Sequence, residues 1–240
     1  MVQARQIEVR GPMAGELGRV EKEETELWQN NERMLELLDS IQTGRFDLSP
    51  YKDHLREAGF DSDEVRDERV FQRMAFLDQV TPTLDDEKKC IWYAHTIADH
   101  LETIGQGLTE EELKTITVGT LFTDIGKTGP ADATPEEVVL ITSMYAYSGN
   151  YDIKKVTVKE FLREHFPAEA RGRIEIFEGM DLDPMMTMRE FYNLHVHWTY
   201  DIVIDSGLPK EAVFAAATHH ITDGKNPRDI VDSQGVLAKL

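Results

Sequence analysis

The sequence has a single cysteine, no long apolar run and few basic residues for its size, and each shortage excludes a class of protein. Cys90 is the only cysteine among 240 residues, so no intramolecular disulfide forms and a reducing cytoplasm is the expected compartment. The apolar runs are too short to span a bilayer, and residues 1–12 lack the apolar stretch of a secretory signal. We therefore expect a cytoplasmic protein without a membrane partner.

Basic side chains are outnumbered by acidic ones, 26 Lys and Arg against 45 Asp and Glu, for a formal net charge of -19. A general nucleic-acid-binding surface must be positive to displace counterions, so we expect no nucleic-acid partner. The charge does not exclude a small anionic ligand. Metal ions and a few cationic side chains can make a site locally positive inside an acidic surface.

Strand signals are also scarce, because apolar and polar residues alternate convincingly only over residues 173–177. Helix signals are frequent by comparison. Thr134-Pro135 is a typical helix start. Capping boxes, in which a Thr is followed three residues later by an acidic residue, begin at Thr83, Thr109, Thr157 and Thr187. Plausible helix ends follow at Gly44, Gly59, Gly105 and Gly207. The sequence predicts an all-α protein.

The chain divides into a predicted N-terminal helical extension, residues 1–82, and a domain, residues 83–240, with an irregular insertion at about 148–186. Apolar residues recur at helical spacing over residues 15–42, with glutamates between them. This stripe suits packing on the body of the protein or pairing with a second copy, so a homodimer through the N-terminal helix is one hypothesis. Trp92 and Trp198 are predicted to pack in the core.

The segment LFTDIGKTGP, residues 121–130, places Asp124 and Lys127 directly after a helical pattern. Taken alone, it could simply end a helix, with Gly126 as the cap and Lys127 offsetting the helix dipole. Its importance depends on whether other ligand-type residues can converge on Asp124.

Histidines on two later helices could converge on Asp124, because inward-facing positions of neighbouring helices can meet at one depth in a bundle. His195 lies in the middle of one predicted helix, and His219 and His220 close the next one. His197 cannot share the face of His195, since two residues rotate a helix by about 200°. Imidazole and carboxylate ligands suit Fe, Mn, Zn or Ni.

Two of these segments resemble a known family. TDIGK, residues 123–127, resembles the HDIGK segment of the HD-domain metal-dependent phosphohydrolases. HHITDGKNP, residues 219–227, is similar to the HH-E-x-x-DG-x-GYP segment of the HD-GYP subgroup, whose members hydrolyse cyclic di-GMP at a centre of two or three metals. The helix that contains His195 resembles the H-P-x-x-G helix of the family. The resemblance covers roughly residues 83–232 and implies an HD-domain-like helical bundle.

The resemblance also implies roles for individual residues. It predicts two divalent metal ions, Fe, Mn, Zn or Ni, and a nucleotide as the small-molecule ligand. Asp124 would be the carboxylate that bridges the metals, and Lys127 would meet the substrate phosphate, which makes both catalytic. The implied metal ligands are His95, Asp124, His195, His219, His220 and Asp232. Further phosphate contacts are expected from Lys225 and Arg228.

The chain departs from the family at three places. Thr123 occupies the position of the first His of the motif, and Ile91 that of an upstream His, with His95 one turn later. The Tyr of the GYP segment is missing. Glu87 matches an acidic residue that some three-metal members use.

The leading hypothesis is a metal-dependent phosphodiesterase acting on cyclic di-GMP or a related nucleotide. The alternatives are a degenerate HD-like domain that binds a nucleotide or a protein partner without catalysis, and an HD-type di-iron oxygenase.

Overall fold

The structure, a computed structural model, describes residues 30–147 and 149–220 and contains ten α-helices and no β-strand within these ranges, which confirms the all-α prediction. Two short 3-10 helices, Ser62–Glu64 and Ile125–Thr128, lie between the α-helices. No helix in the described ranges is long and apolar enough to cross a membrane. The α-helices are α1 (Asn31–Gln42), α2 (Ser49–Glu57), α3 (Arg69–Val80), α4 (Thr83–Thr103), α5 (Glu110–Leu121), α6 (Pro135–Ala146), α7 (Val158–His165), α8 (Ala170–Gly179), α9 (Met188–Val203) and α10 (Lys210–Ala217).

Local sequence signals set many of the helix ends. Complete capping boxes begin α5, α6, α7 and α9. In each, the Thr side chain accepts a hydrogen bond from the backbone N–H of the Glu three residues later, and the Glu side chain accepts one from the backbone N–H of the Thr. The four predicted helix-ending glycines all have positive φ. The capping box predicted at Thr83 is wrong. Thr83 is already helical, Pro82 precedes it as the N-cap, and the Thr83 hydroxyl lies 2.6 Å from that of Thr81.

The strand pattern at residues 173–177 is also wrong, because these residues lie within α8. Arg173 and Phe177 are four residues apart and both buried, which is the spacing of one helix face. The Arg173 guanidinium donates to Ser143 Oγ at 2.9 Å and stacks 3.9 Å from the centre of the Phe166 ring. Long-range contacts of this Arg therefore stabilise a helix that the local alternation does not predict.

One buried hydrophobic cluster contains residues of α1 and α3 together with residues of α5, α6, α9 and α10. Met34, Leu38 and Ile41 of α1 are buried in it, so the part of the N-terminal stripe that the structure describes packs on the body of the protein. The domain division at residue 82 and the homodimer stay predictions. Trp198 is buried as predicted, whereas Trp92 is 53% exposed on α4, so its core assignment is wrong.

The insertion at about 148–186 is partly helical, with α7 after the predicted capping box at Thr157 and α8 after it. An antiparallel bridge between Thr157 and Thr187 joins its two ends. Val158 N donates to Met186 O, and Met188 N donates to Val156 O, each at 2.9 Å. The insertion is therefore fixed to the first turn of α9, the helix that contains His195.

Candidate metal centre

The 3-10 helix Ile125–Thr128 packs against α9 so closely that only glycine fits at position 126. A Cβ on Gly126 would lie 1.9 Å from His195 O and 2.6 Å from Thr199 N. The Thr199 hydroxyl accepts from Gly126 N at 3.1 Å and donates to Thr123 O at 2.9 Å. These contacts place Asp124 and Lys127 beside His195, although the two segments are about 70 residues apart in sequence.

Three of the predicted histidines meet at this point. The ligand atoms of His195, His219 and His220 all lie within 4.8 Å of one another. His195 is 5% exposed, while His219 and His220 are half-buried at the end of α10. Because α9 packs against both α10 and the Ile125–Thr128 turn, two segments contribute the histidines and a third brings Asp124 beside them. These three imidazoles could hold a metal ion.

The hydrogen bonds of two rings determine which nitrogen can act as a ligand. His195 Nδ1 donates to Tyr192 O at 2.5 Å, and His219 Nδ1 donates to Ala216 O at 2.7 Å. A carbonyl oxygen can only accept, so both Nδ1 atoms are protonated and both neutral rings have a lone pair on Nε2. These Nε2 atoms face each other at 3.1 Å. Two lone pairs at that distance repel each other unless a proton or a cation lies with them.

A metal ion fits this geometry better than a proton does. Burial lowers the pKa of His195 to about 4 and also lowers the pKa of His219, so both imidazoles are neutral at pH 7, the form that binds metals. Two nitrogens bound to one metal at about 2.0–2.1 Å lie roughly 2.9–3.4 Å apart for octahedral or tetrahedral angles. The observed 3.1 Å falls in that range.

Asp124 and Lys127 lie beside the histidine cluster. Asp124 Oδ1 is 4.0 Å from His219 Nε2, and its other oxygen accepts from Lys127 Nζ at 2.5 Å. Burial raises the pKa of the Asp124 carboxyl, but the nearby Lys127 ammonium outweighs this and lowers it overall. Asp124 is therefore an anion at neutral pH, as a bridging carboxylate must be.

Glu87 of α4 is a second carboxylate near this position. It is 4% exposed, and neither carboxyl oxygen has a hydrogen-bond partner among the described residues. Burial raises its pKa well above the usual value, and the Asp124 carboxylate raises it further. Lys127 acts in the opposite direction, as does the backbone N–H of Asp124, which is too poorly aligned to form a full hydrogen bond with the carboxyl. A buried carboxylate without a partner is costly in free energy. A cation near Asp124 would satisfy both acidic groups, which is a further sign that the site accommodates a metal ion.

The structure does not bring all the predicted ligands together. His95 is not part of the cluster. Its Nε2 donates at 2.9 Å to the hydroxyl of Thr117, whose own proton goes to Leu113 O. The Thr123 hydroxyl donates to Thr120 O at 3.0 Å within its own helical turn. Three predicted residues, Asp232, Lys225 and Arg228, lie outside the described residues.

A cleft of about 370 Å³ opens beside the metal centre, within the size range of small-molecule sites. His195, His220 and Lys127 lie at one part of its wall. The rest is formed by residues of α6, of the insertion and of α9, namely Tyr145, Tyr147, Ile153, Arg189, Tyr192 and Asn193. The site therefore combines candidate metal ligands, cations and aromatic rings around one cavity.

No protein-family model, curated protein or solved structure matches this chain. The chemistry of the site is therefore argued from its own side chains.

Composition and periodicity do not identify two of the side chains at this site. Glu87 stands out in the sequence only through the family resemblance, and its lack of a partner becomes visible only in the structure. Arg189 follows a capping Thr in an ordinary helix start, so the sequence does not single it out. Its place in the cleft arises because the insertion lies against the first turn of α9.

Proposed function

We propose that this chain is a metal-dependent phosphohydrolase of the HD type that acts on a nucleotide phosphodiester such as cyclic di-GMP. One observation carries the proposal: the Nε2 lone pairs of two neutral histidines, one buried and one half-buried, face each other at 3.1 Å beside a carboxylate. That arrangement is unfavourable without a cation and favourable with one. The order of the TDIGK and HH segments along the chain, and their meeting in space, agree with the resemblance to this family.

The proposed roles follow from the contacts at the site. His195, His219 and His220 hold the metal, with Asp124 as the charged ligand and Glu87 as a second carboxylate. A bound metal ion supplies Lewis-acid charge at a phosphoryl oxygen and lowers the pKa of water. Lys127 neutralises charge that develops on the phosphoryl group, since it lines the same cleft and its ammonium lies beside Asp124.

Metal content is the first test. We expect protein purified without chelators and without a His-tag to contain about one to two equivalents of Fe, Mn, Zn or Ni by elemental analysis. Asp124→Ala should lose the metal together with any hydrolysis of cyclic di-GMP. Asp99→Ala, an exposed carboxylate on α4, is the matched control and should keep both. Unchanged metal content in Asp124→Ala would show that the assignment of the site is wrong.

A second candidate function is a domain of this type that binds a nucleotide without hydrolysing it. The specific observation in its favour concerns Thr123, which stands where the family has a His. Its hydroxyl donates to Thr120 O. The metal would then have one strong ligand fewer than in the active members. Nucleotide binding with half an equivalent of metal or less, and no turnover after reconstitution, would favour this second function.

A further inference from the structure

Arg189 lines the same cleft as the candidate metal centre, and the proposed function gives it no role. It is the second residue of α9, two turns before His195, and its side chain lines the cavity together with Lys127. Its backbone N–H donates to Ile153 O at 2.8 Å, so the insertion fixes the main chain from which this side chain extends. The cleft therefore has two cations, which reach it from different elements.

The guanidinium of Arg189 forms no ion pair or side-chain hydrogen bond with any described residue, although the protein is strongly acidic. Other arginines pair readily in this structure: Arg171 with Glu175 at 2.9 Å and Arg56 with Asp53 at 2.8 Å, both on the surface. Arg189 is half-buried, where the loss of hydration makes an unpaired charge more costly than at the surface. An anion bound in the cleft would offset that cost.

The position of Arg189 within α9 is also unfavourable for a cation. The N-terminal turn of a helix has a partial positive charge, so acidic residues stabilise it and basic residues destabilise it. Glu190, the acidic residue of the capping box that begins at Thr187, follows this rule, whereas Arg189, which lies between the two, does not. Neither the capping nor the packing of α9 accounts for an Arg at this position, whereas recognition of an anion does.

Aromatic side chains lie beside this cation. Tyr192, one turn after Arg189, has its hydroxyl held 2.5 Å from that of Tyr151, which fixes the orientation of its ring. Tyr147 lines the same cleft from the end of α6. Rigid rings of this kind can bind a nucleobase by stacking. The cleft thus has a phosphate-binding cation near the metal centre, an aromatic wall and a second cation.

We propose that Arg189 binds a second phosphate of the substrate, one that is not hydrolysed, while Lys127 binds the phosphate at the metal centre. The inference rests on the proposed function and narrows its substrate class to nucleotides with at least two phosphate groups, such as a cyclic dinucleotide. Arginine suits this role, because its planar guanidinium can donate two parallel hydrogen bonds to one phosphate.

Calorimetric titration of the protein as purified tests the proposal with two probes. One is a phosphorothioate analogue of cyclic di-GMP, which has two phosphodiester groups and resists hydrolysis, and the other is GMP. We expect Arg189→Ala to weaken binding of the analogue by roughly 10- to 100-fold and binding of GMP by less than about twofold. Arg189→Lys should restore part of the affinity. Arg163→Ala, an exposed arginine on α7, is the matched control and should bind both probes like the wild type.

The outcomes separate this inference from the proposed function. If Arg189→Ala binds the analogue normally while Lys127→Ala binds it weakly and the protein holds metal, the function stands and the role of Arg189 is refuted. An equal loss for both probes would also refute it, since Arg189 would then bind the same phosphate as Lys127. A loss confined to the analogue in a protein that takes up no metal would support the role of Arg189 and overturn the hydrolytic function.

Discussion

Replacement of Glu87 by Gln should stabilise the metal-free protein while it weakens the metal centre. The carboxyl is buried without a hydrogen-bond partner among the described residues, and burial raises its pKa well above 4.5. Gln has the same shape but never ionises. The variant therefore removes the cost of an acidic group that must either stay protonated or carry a buried charge at neutral pH.

The magnitude follows from proton linkage. A carboxyl whose folded pKa exceeds its unfolded pKa binds more protons in the folded state, so it makes the protein less stable as pH rises between the two values. The slope is about 1.4 kcal/mol per pH unit for one group. With metal removed by a chelator, the advantage of Glu87→Gln over the wild type should be smallest near pH 5 and grow by that amount per unit up to the folded pKa. For a domain of this size, about 1.4 kcal/mol corresponds to roughly 3–6 °C in Tm.

Thermal unfolding across pH 5 to 8 measures this difference, and Glu102→Gln is the matched control. Glu102 is an exposed glutamate on the same helix, so its replacement should leave the pH profile unchanged. Addition of Mn²⁺ or Zn²⁺ should raise the Tm of the wild type, because a ligand that binds only the folded state stabilises it, and should raise that of Glu87→Gln less. A Glu87→Gln protein that is less stable than the wild type at every pH without metal would refute the argument, since the carboxylate would then be satisfied in the fold.

Two other substitutions test how the centre is positioned. Gly126→Ala should destabilise the protein by about 3 kcal/mol or more in urea unfolding and reduce its metal content, because the new Cβ would meet His195 O at 1.9 Å. Gly172→Ala, with no atom near its Cβ site in α8, should be neutral or stabilise by about 0.5–1 kcal/mol, and an equal loss in both would contradict the clash. Arg73→Met should cost about 3 kcal/mol or more, because this buried guanidinium donates to the carbonyls of residues 129–131 just after the turn. Arg69→Met, which breaks only an exposed pair, should cost less than about 1 kcal/mol in the same assay.

The parts of the fold that depend on neighbouring residues were predictable from the sequence. Capping boxes at Thr109, Thr157 and Thr187 begin helices as expected, because each involves groups only three residues apart. The structure places His195 in the cluster and His197 on the surface, as the 200° rotation between them requires.

Features that depend on distant contacts were not predictable. Hydrophobicity alone predicts Trp92 in the core, but only a few positions of the 21-residue helix α4 meet the body of the protein, and Trp92 is not among them. Residues 173–177 alternate like a strand, yet Arg173 becomes the buried centre of contacts with α6 and α1. In both cases the partner that decides the outcome is too far away in sequence for periodicity to identify it.

The candidate metal centre combines both kinds of information. The motif residues Asp124, His195 and His219 can be singled out from the sequence, but Asp124 comes beside the two histidines only because Gly126 has no Cβ and lets two backbone segments touch. Thr199 then satisfies the backbone groups at that contact from both sides. A short motif thus specifies which groups are available, and the packing of one glycine against α9 determines that they converge. For that reason the Gly126→Ala protein is the sharpest structural test of the centre: Asp124, His195, His219 and His220 are all intact in sequence, and only the approach of Asp124 to the histidines is disturbed.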